Sequence, residues 1–302
     1  MSHLKSKLNN TKIIMLYYLI ILILTSYATY KNGIIIYQRN LINFINIFKP
    51  LLLVLISIII PYLINFIYYK EIKKDNYNFK EDYTSIFMAL ITLTLPLNIN
   101  IFLYLFIIII FSILKLFYKI EYFNYYNLIK LLIILVLFII GKYSYLTIYD
   151  LNIETNLSTL DLFLGRGIGG LATTNILLLF ICYLIMLLNN SYKKEIPVIS
   201  IVSYFIILIL FDIVFKNNVI LDIKNLISSE FIFACIFIAT ISFYSPIKSK
   251  EKIIYSIILG ILSFIFNKIF NIYDGVFIAL LITNLIIIGY EKLERIIINE
   301  HK

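Results

Sequence analysis

Apolar positions in this chain neither alternate with polar ones nor keep to one helical face; they run on in blocks. Ten blocks can be marked, near residues 13–30, 50–69, 84–97, 99–114, 128–148, 171–189, 197–215, 229–246, 253–270 and 273–290. Unbroken runs suit helices whose every side meets lipid or another apolar helix, whereas a barrel strand would alternate every second residue. The pattern predicts an all-α fold: a polytopic transmembrane helical protein of about ten spans, forming one integral membrane domain over residues 1–302. The third and eighth blocks are short and stop at Pro96 and Pro246, where a helix would lose a backbone donor. The first block lacks a small-residue cleavage site, so it is expected to remain as a span.

Composition sharpens this picture. The chain is 62% hydrophobic and 14% charged, far from the roughly 25% charged residues of a soluble domain. Its net charge of +9 is a matter of topology. With a cytoplasmic N-terminus, eighteen of the 26 Lys and Arg fall on the cytoplasmic side, seventeen in the termini and even-numbered loops and Lys130 at the start of the fifth block, as the positive-inside rule requires. That orientation places both termini in the cytoplasm and the loop from about 149 to 170 outside. The basic balance is then explained by anionic lipid headgroups of the bilayer, with no nucleic acid as partner.

The exterior loop interrupts the apolar region near mid-chain with hydroxyls, carboxylates and glycines. YDLNIETNLSTLDLFLGRGIGGLATTN, residues 149–175, carries Gly165, Gly167, Gly169 and Gly170 within six residues, and Arg166 is the sole arginine between residues 40 and 294. A glycine-rich turn leading into a helix can offer backbone amides to an anion, and a guanidinium fork matches a phosphate. The same residues would also serve an ordinary solvated turn ahead of a helix capped by threonine.

Other chemistry is sparse. His3 and His301 stand at the ends of the chain, and Cys182 and Cys235 lie inside apolar runs where a thiol packs as a small hydrophobe. These positions suggest no metal site and no catalytic acid, base or nucleophile. Three acids fall in or beside spans. Glu230 and Asp274 precede helices and suit capping, while Asp212, within the seventh run, is a candidate for ion passage. Thr92, Thr94, Thr240 and Asn284 can bridge helices by hydrogen bonds.

Two segments hint at an internal repeat. IFMALITLTLP, residues 86–96, and IFACIFIATISFYSP, residues 232–246, are apolar, dotted with small residues and threonine, and end at prolines 150 residues apart. Five spans per half would make the repeats inverted, an arrangement common among translocating membrane proteins.

Several stretches in order also resemble one family. SHLKSKLNNTKIIM (2–15), Asp82 with LTLPLNINIF (93–102), IP (196–197), ATISFYSP (239–246), DGVFIALLITN (274–284) and DLFLG (161–165) with the glycine turn resemble the RnfD and NqrB proteins, integral components of the Rnf electron-transport complex and of the sodium-pumping NADH:quinone reductase. The resemblance implies a component of a prokaryotic cytoplasmic membrane that passes electrons while sodium ions or protons are moved. Its partners would be the other subunits of such a complex and a flavin transferase. It further implies FMN joined through its phosphate to a threonine. DLNIETNL, residues 150–157, is the nearest counterpart of the attachment motif and makes Thr155 the flavin-bearing residue, with Arg166, Gly167, Gly169 and Gly170 as cofactor contacts. The chain departs from the family at Asn156, where proline is usual, at Ile241, where aspartate is usual, and in the glycines missing from YKIEYFNYYNLI, residues 118–129. Those departures leave a flavin-less scaffold subunit as one alternative; an unrelated multi-pass solute transporter is another.

Overall fold

The computed structural model describes residues 2–38, 40, 42–74, 83–117, 125–139, 159–167, 169–216, 219, 222–223, 226, 230–241 and 245–300. All regular structure among these is helical. Its main elements are α1 (Ser2–Thr29), α2 (Lys49–Ile67), α3 (Thr84–Leu93), α4 (Ile101–Phe117), α5 (Tyr125–Ile139), α6 (Ile176–Leu187), α7 (Glu195–Phe215), α8 (Phe231–Phe233, running on through a π-turn at Ala234–Ile238), α9 (Ser249–Phe264) and α10 (Gly275–Glu300). Four continuous helical stretches are long and apolar enough to cross a bilayer: Thr11–Gln38, Phe44–Lys73, Glu195–Phe215 and Ser249–Ile269. Shorter apolar helices occupy Thr84–Leu93, Ile101–Leu116, Asn127–Ile139, Ile176–Leu187 and Gly275–Tyr290. The continuous apolar runs thus fold as a polytopic helical membrane protein.

The chain divides into two compact units, one of Met1–Lys119, Leu132–Ser191 and Ile227–Glu230, the other of Ile120–Leu131, Tyr192–Leu226 and Phe231–Lys302. In the first, α2 buries a stripe spaced by four, Leu53, Ser57, Pro61 and Asn65, and leaves residues such as Leu52, Leu55, Ile59 and Leu63 exposed. That is how a helix packs from within lipid: a narrow seam of small or polar groups inward, bulky aliphatics outward. By contrast, every residue of α3 is buried. Its N-terminus is held at Thr84 Oγ1, which accepts from Asn65 Nδ2 of α2 at 3.3 Å and from the Lys115 ammonium of α4. Thr92 bridges to Tyr104 of α4, as its position suggested. Thr94 donates to the carbonyl of Ile91, 2.6 Å away.

The second unit has the same plan. α7 buries Ile196, Ser200, Tyr204, Leu208 and Asp212, again four apart. α9 lies close against it, because Gly260 has no side chain: a Cβ there would stand 2.7 Å from the carbonyl oxygen of Ser200. Tyr204 packs against Phe231 of α8 and Phe264 of α9. α8 is short and buried throughout except for a half-buried Ile232. Both segments of the suspected repeat are therefore short buried helices that stop ahead of proline. Cys182 and Cys235 are free and buried, in line with a packing role.

Candidate functional site

The glycine-rich loop folds onto the end of α3. Past Leu93 the helix is broken, and its last carbonyls need donors. Two come from the loop: the amide of Ala172 donates to the carbonyl of Leu93 at 3.0 Å, and that of Leu171 to Leu95 at 3.1 Å. Gly170 makes this approach possible, since a Cβ there would sit 2.6 Å from the carbonyl oxygen of Thr94. Gly165, with φ of 85°, occupies the left-handed region that glycine adopts without strain.

Residues from the end of α1 and the turn after it complete the clamp. Lys31, 8% exposed, donates to the carbonyl of Gly167 at 2.9 Å and to Thr174 Oγ1 at 2.8 Å. Thr174 in turn donates to the carbonyl of Gly165 at 3.0 Å. Asn32 Nδ2 reaches the carbonyl of Leu171 at 2.9 Å, and the Tyr27 hydroxyl that of Gly165 at 3.2 Å. The next helix begins at Ile176 rather than at Leu171, with the Asn175 side chain accepting from the amide of Leu178 at 2.9 Å. Asparagine, not threonine, is the cap.

The expected cofactor contacts are thus placed individually. Gly167 offers its carbonyl to Lys31, Gly169 and Gly170 are buried, and Gly170 lies against Thr94. Arg166 points outward, its side chain 58% exposed and paired with Asp161 Oδ1 at 2.7 Å. Its own amide donates to the carbonyl of Asp161. Thr155 lies outside the described residues.

A parallel closure occurs at the break after α8. Tyr192 donates to the carbonyl of Ile236 at 2.8 Å, and Lys193 donates to the carbonyl and hydroxyl of Ser245, both at 2.6 Å. Lys193 lies in the link between α6 and α7 and is 8% exposed. Burial, reinforced by the Lys252 ammonium nearby, pushes its ionisation down to about 7. Thr240 bonds within its own turn, to the carbonyl of Ile236 at 2.7 Å, and bridges nothing by that contact.

The acids of the second unit find lysines. Asp212 lies 3.9 Å from Lys268, which also pairs with Asp222. Asp274, which stands immediately before α10, pairs with Lys130 of α5 at 2.7 Å. Glu230 stands immediately before α8 and is fully buried. Sequence reasoning missed Lys31, Lys193 and Lys130 because it counted them as loop charges. Lys130 carried a signal: it is a lone cation in the apolar stretch NLIKLLIILV.

Broken, buried helices, closed by other parts of their own unit and accompanied by long apolar ones, define a class of polytopic helical membrane protein. Residues 121–293, more than half the chain, match the NQR2, RnfD, RnfE family, and the chain belongs to that family. No curated protein matches it.

Proposed function

We propose that the chain is a membrane subunit of an Rnf- or Nqr-type complex, carrying electrons through FMN while sodium ions or protons cross the bilayer. Family membership is the observation that supports this reading most. It also sets aside the unrelated solute transporter. In this arrangement both termini face the cytoplasm and the loop from about 149 to 170 lies on the exterior side, as the Lys and Arg distribution favours.

When bound, FMN supplies one- and two-electron chemistry, and the protein contributes position and electrostatics. In the described loop, Arg166 offers a phosphate an exposed guanidinium that can turn from Asp161 to a stronger anion. The amides of Leu171 and Ala172 are already used at the α3 break. In this reading Arg166 is the cation available to the phosphate of a flavin carried on Thr155.

The occupied loop amides, together with Asp161 beside Arg166, also favour a second reading, a scaffold subunit that has no flavin. One experiment separates the two. The chain is produced with its flavin transferase, and the denatured band is examined for fluorescence and the intact protein for the mass of one added FMN. The flavin reading expects an adduct lost in Thr155→Val; an adduct that persists in that variant, or none in the parent chain, contradicts it.

A further inference from the structure

We propose that the starts of α7 and α9 form a binding site for the headgroup phosphate of an anionic phospholipid. The inference goes beyond the functional reading above and holds with or without a flavin. Residues 193–195 and 248–252 lie far apart in the chain and together carry five lysines against two glutamates. Two contacts gather them into one cluster. Lys193 donates to the carbonyl and hydroxyl of Ser245, both at 2.6 Å, and Lys252 lies 3.6 Å from Glu195. The second glutamate, Glu251, is 3.1 Å from Lys248. Both carboxylates are engaged inside the cluster, which keeps an excess of cations.

Topology alone asks only that lysines stand in cytoplasmic loops, where water and salt screen them. This cluster is tighter than that. Lys193 is 8% exposed, and besides its burial the Lys252 ammonium holds its ionisation down, so cations of the two segments feel one another. An anion placed among them relieves the repulsion, and a phosphate takes several ammonium donors at once. Lys194, Lys248 and Lys250 are exposed and supply it with flexible point charges. The surroundings favour a lipid over a dissolved anion. Glu195–Phe215 and Ser249–Ile269 are each long and apolar enough to cross the bilayer, so their paired starts stand at headgroup level. Bare aliphatic side chains begin beside the lysines: Ile247 is 75% exposed, Val198 50% and Ile253 45%. A molecule with a charged head and apolar chains matches both parts of this surface, whereas free phosphate matches one.

The test follows thermal unfolding of the full chain, stripped of lipid, in dodecyl maltoside. Added dioleoylphosphatidylglycerol should raise the midpoint by several degrees. Dioleoylphosphatidylcholine, with the same acyl chains and no net charge, should raise it far less. Lys194→Gln/Lys248→Gln/Lys250→Gln should fold and lose most of the phosphatidylglycerol shift. Lys70→Gln/Lys73→Gln/Lys74→Gln, which removes as many charges just past the end of α2, should keep it. If the first triple variant folds poorly, Lys194→Gln/Lys250→Gln takes its place with the same expectation. Glycerophosphate and inorganic phosphate at equal concentration should have little effect. The proposal is overturned if the two lipids act alike, if the cluster variant keeps the shift, if the α2 variant loses it too, or if the soluble phosphates reproduce it.

Discussion

At the end of α3 the carbonyls of Leu93 and Leu95 receive backbone amides, from Ala172 and Leu171, whereas the carbonyl of Ile236 in the last turn of α8 and that of Ser245 past its end receive side chains, from Tyr192 and Lys193. The need is the same in both units: a helix that stops inside an apolar protein leaves acceptors that water cannot reach. The first solution requires a chain able to come within backbone contact, and so it requires glycine. The second requires a long side chain with several donors, and so it tolerates an ordinary link between two helices. Segments alike in sequence have been closed by unlike means. One closure is constrained by shape and the other by charge.

The largest effect is expected where shape decides. Gly170→Val would drive a side chain into the Thr94 backbone, and an overpacked, backbone-limited site loses on the order of 3 kcal/mol or more. The chain should melt far lower in detergent, with new proteolytic cleavage near residues 165–175. If the variant melts like wild type, the loop does not rest on α3.

Lys31→Met comes next. It strips the donor from the carbonyl of Gly167 and from Thr174 Oγ1, and buried acceptors left in this way cost about 1–3 kcal/mol. Faster proteolysis of the loop, without loss of the helical circular dichroism, would show that Lys31 holds the loop and not the fold.

Charge should make the second closure sensitive to pH. In the folded chain Lys193 releases its proton near 7, while in the unfolded chain it keeps it up to the ordinary lysine value of 10.5. Between those values unfolding takes up a proton, so this residue's contribution to stability rises with pH across the window. The midpoint of thermal unfolding, followed from about pH 7 to about pH 10, should climb less in Lys193→Met than in wild type. Parallel curves would remove charge from the comparison. The smallest effect is expected for Tyr192→Phe, which loses one hydroxyl bond to Ile236, worth about 1 kcal/mol.

How much of this was legible depended on the kind of force involved. Lipid contact leaves long marks, and the ten apolar blocks have helical counterparts, although α3 and α8 are shorter than their blocks and α6 starts five residues late because Asn175, not the glycine turn, begins it. The glycines were conspicuous but pointed to free amides, whereas two of the loop's amides pair with a helix end far away in sequence. No local pattern announces such a partner. Lys130 and Asp274 stand 144 positions apart, and nothing in the sequence around the aspartate points to a lysine so far back in the chain. Thr155 lies outside the described residues, so its assignment remains a proposal drawn from resemblance.

The proposed function has the loop that follows Thr155 at the exterior face. Leu160 is 72% exposed, and both native cysteines are buried. Leu160→Cys should therefore react with a membrane-impermeant maleimide added to sealed right-side-out vesicles and stay unlabelled in inverted ones until they are opened. Labelling confined to the inverted vesicles would contradict an exterior loop and, with it, the proposed flavin position.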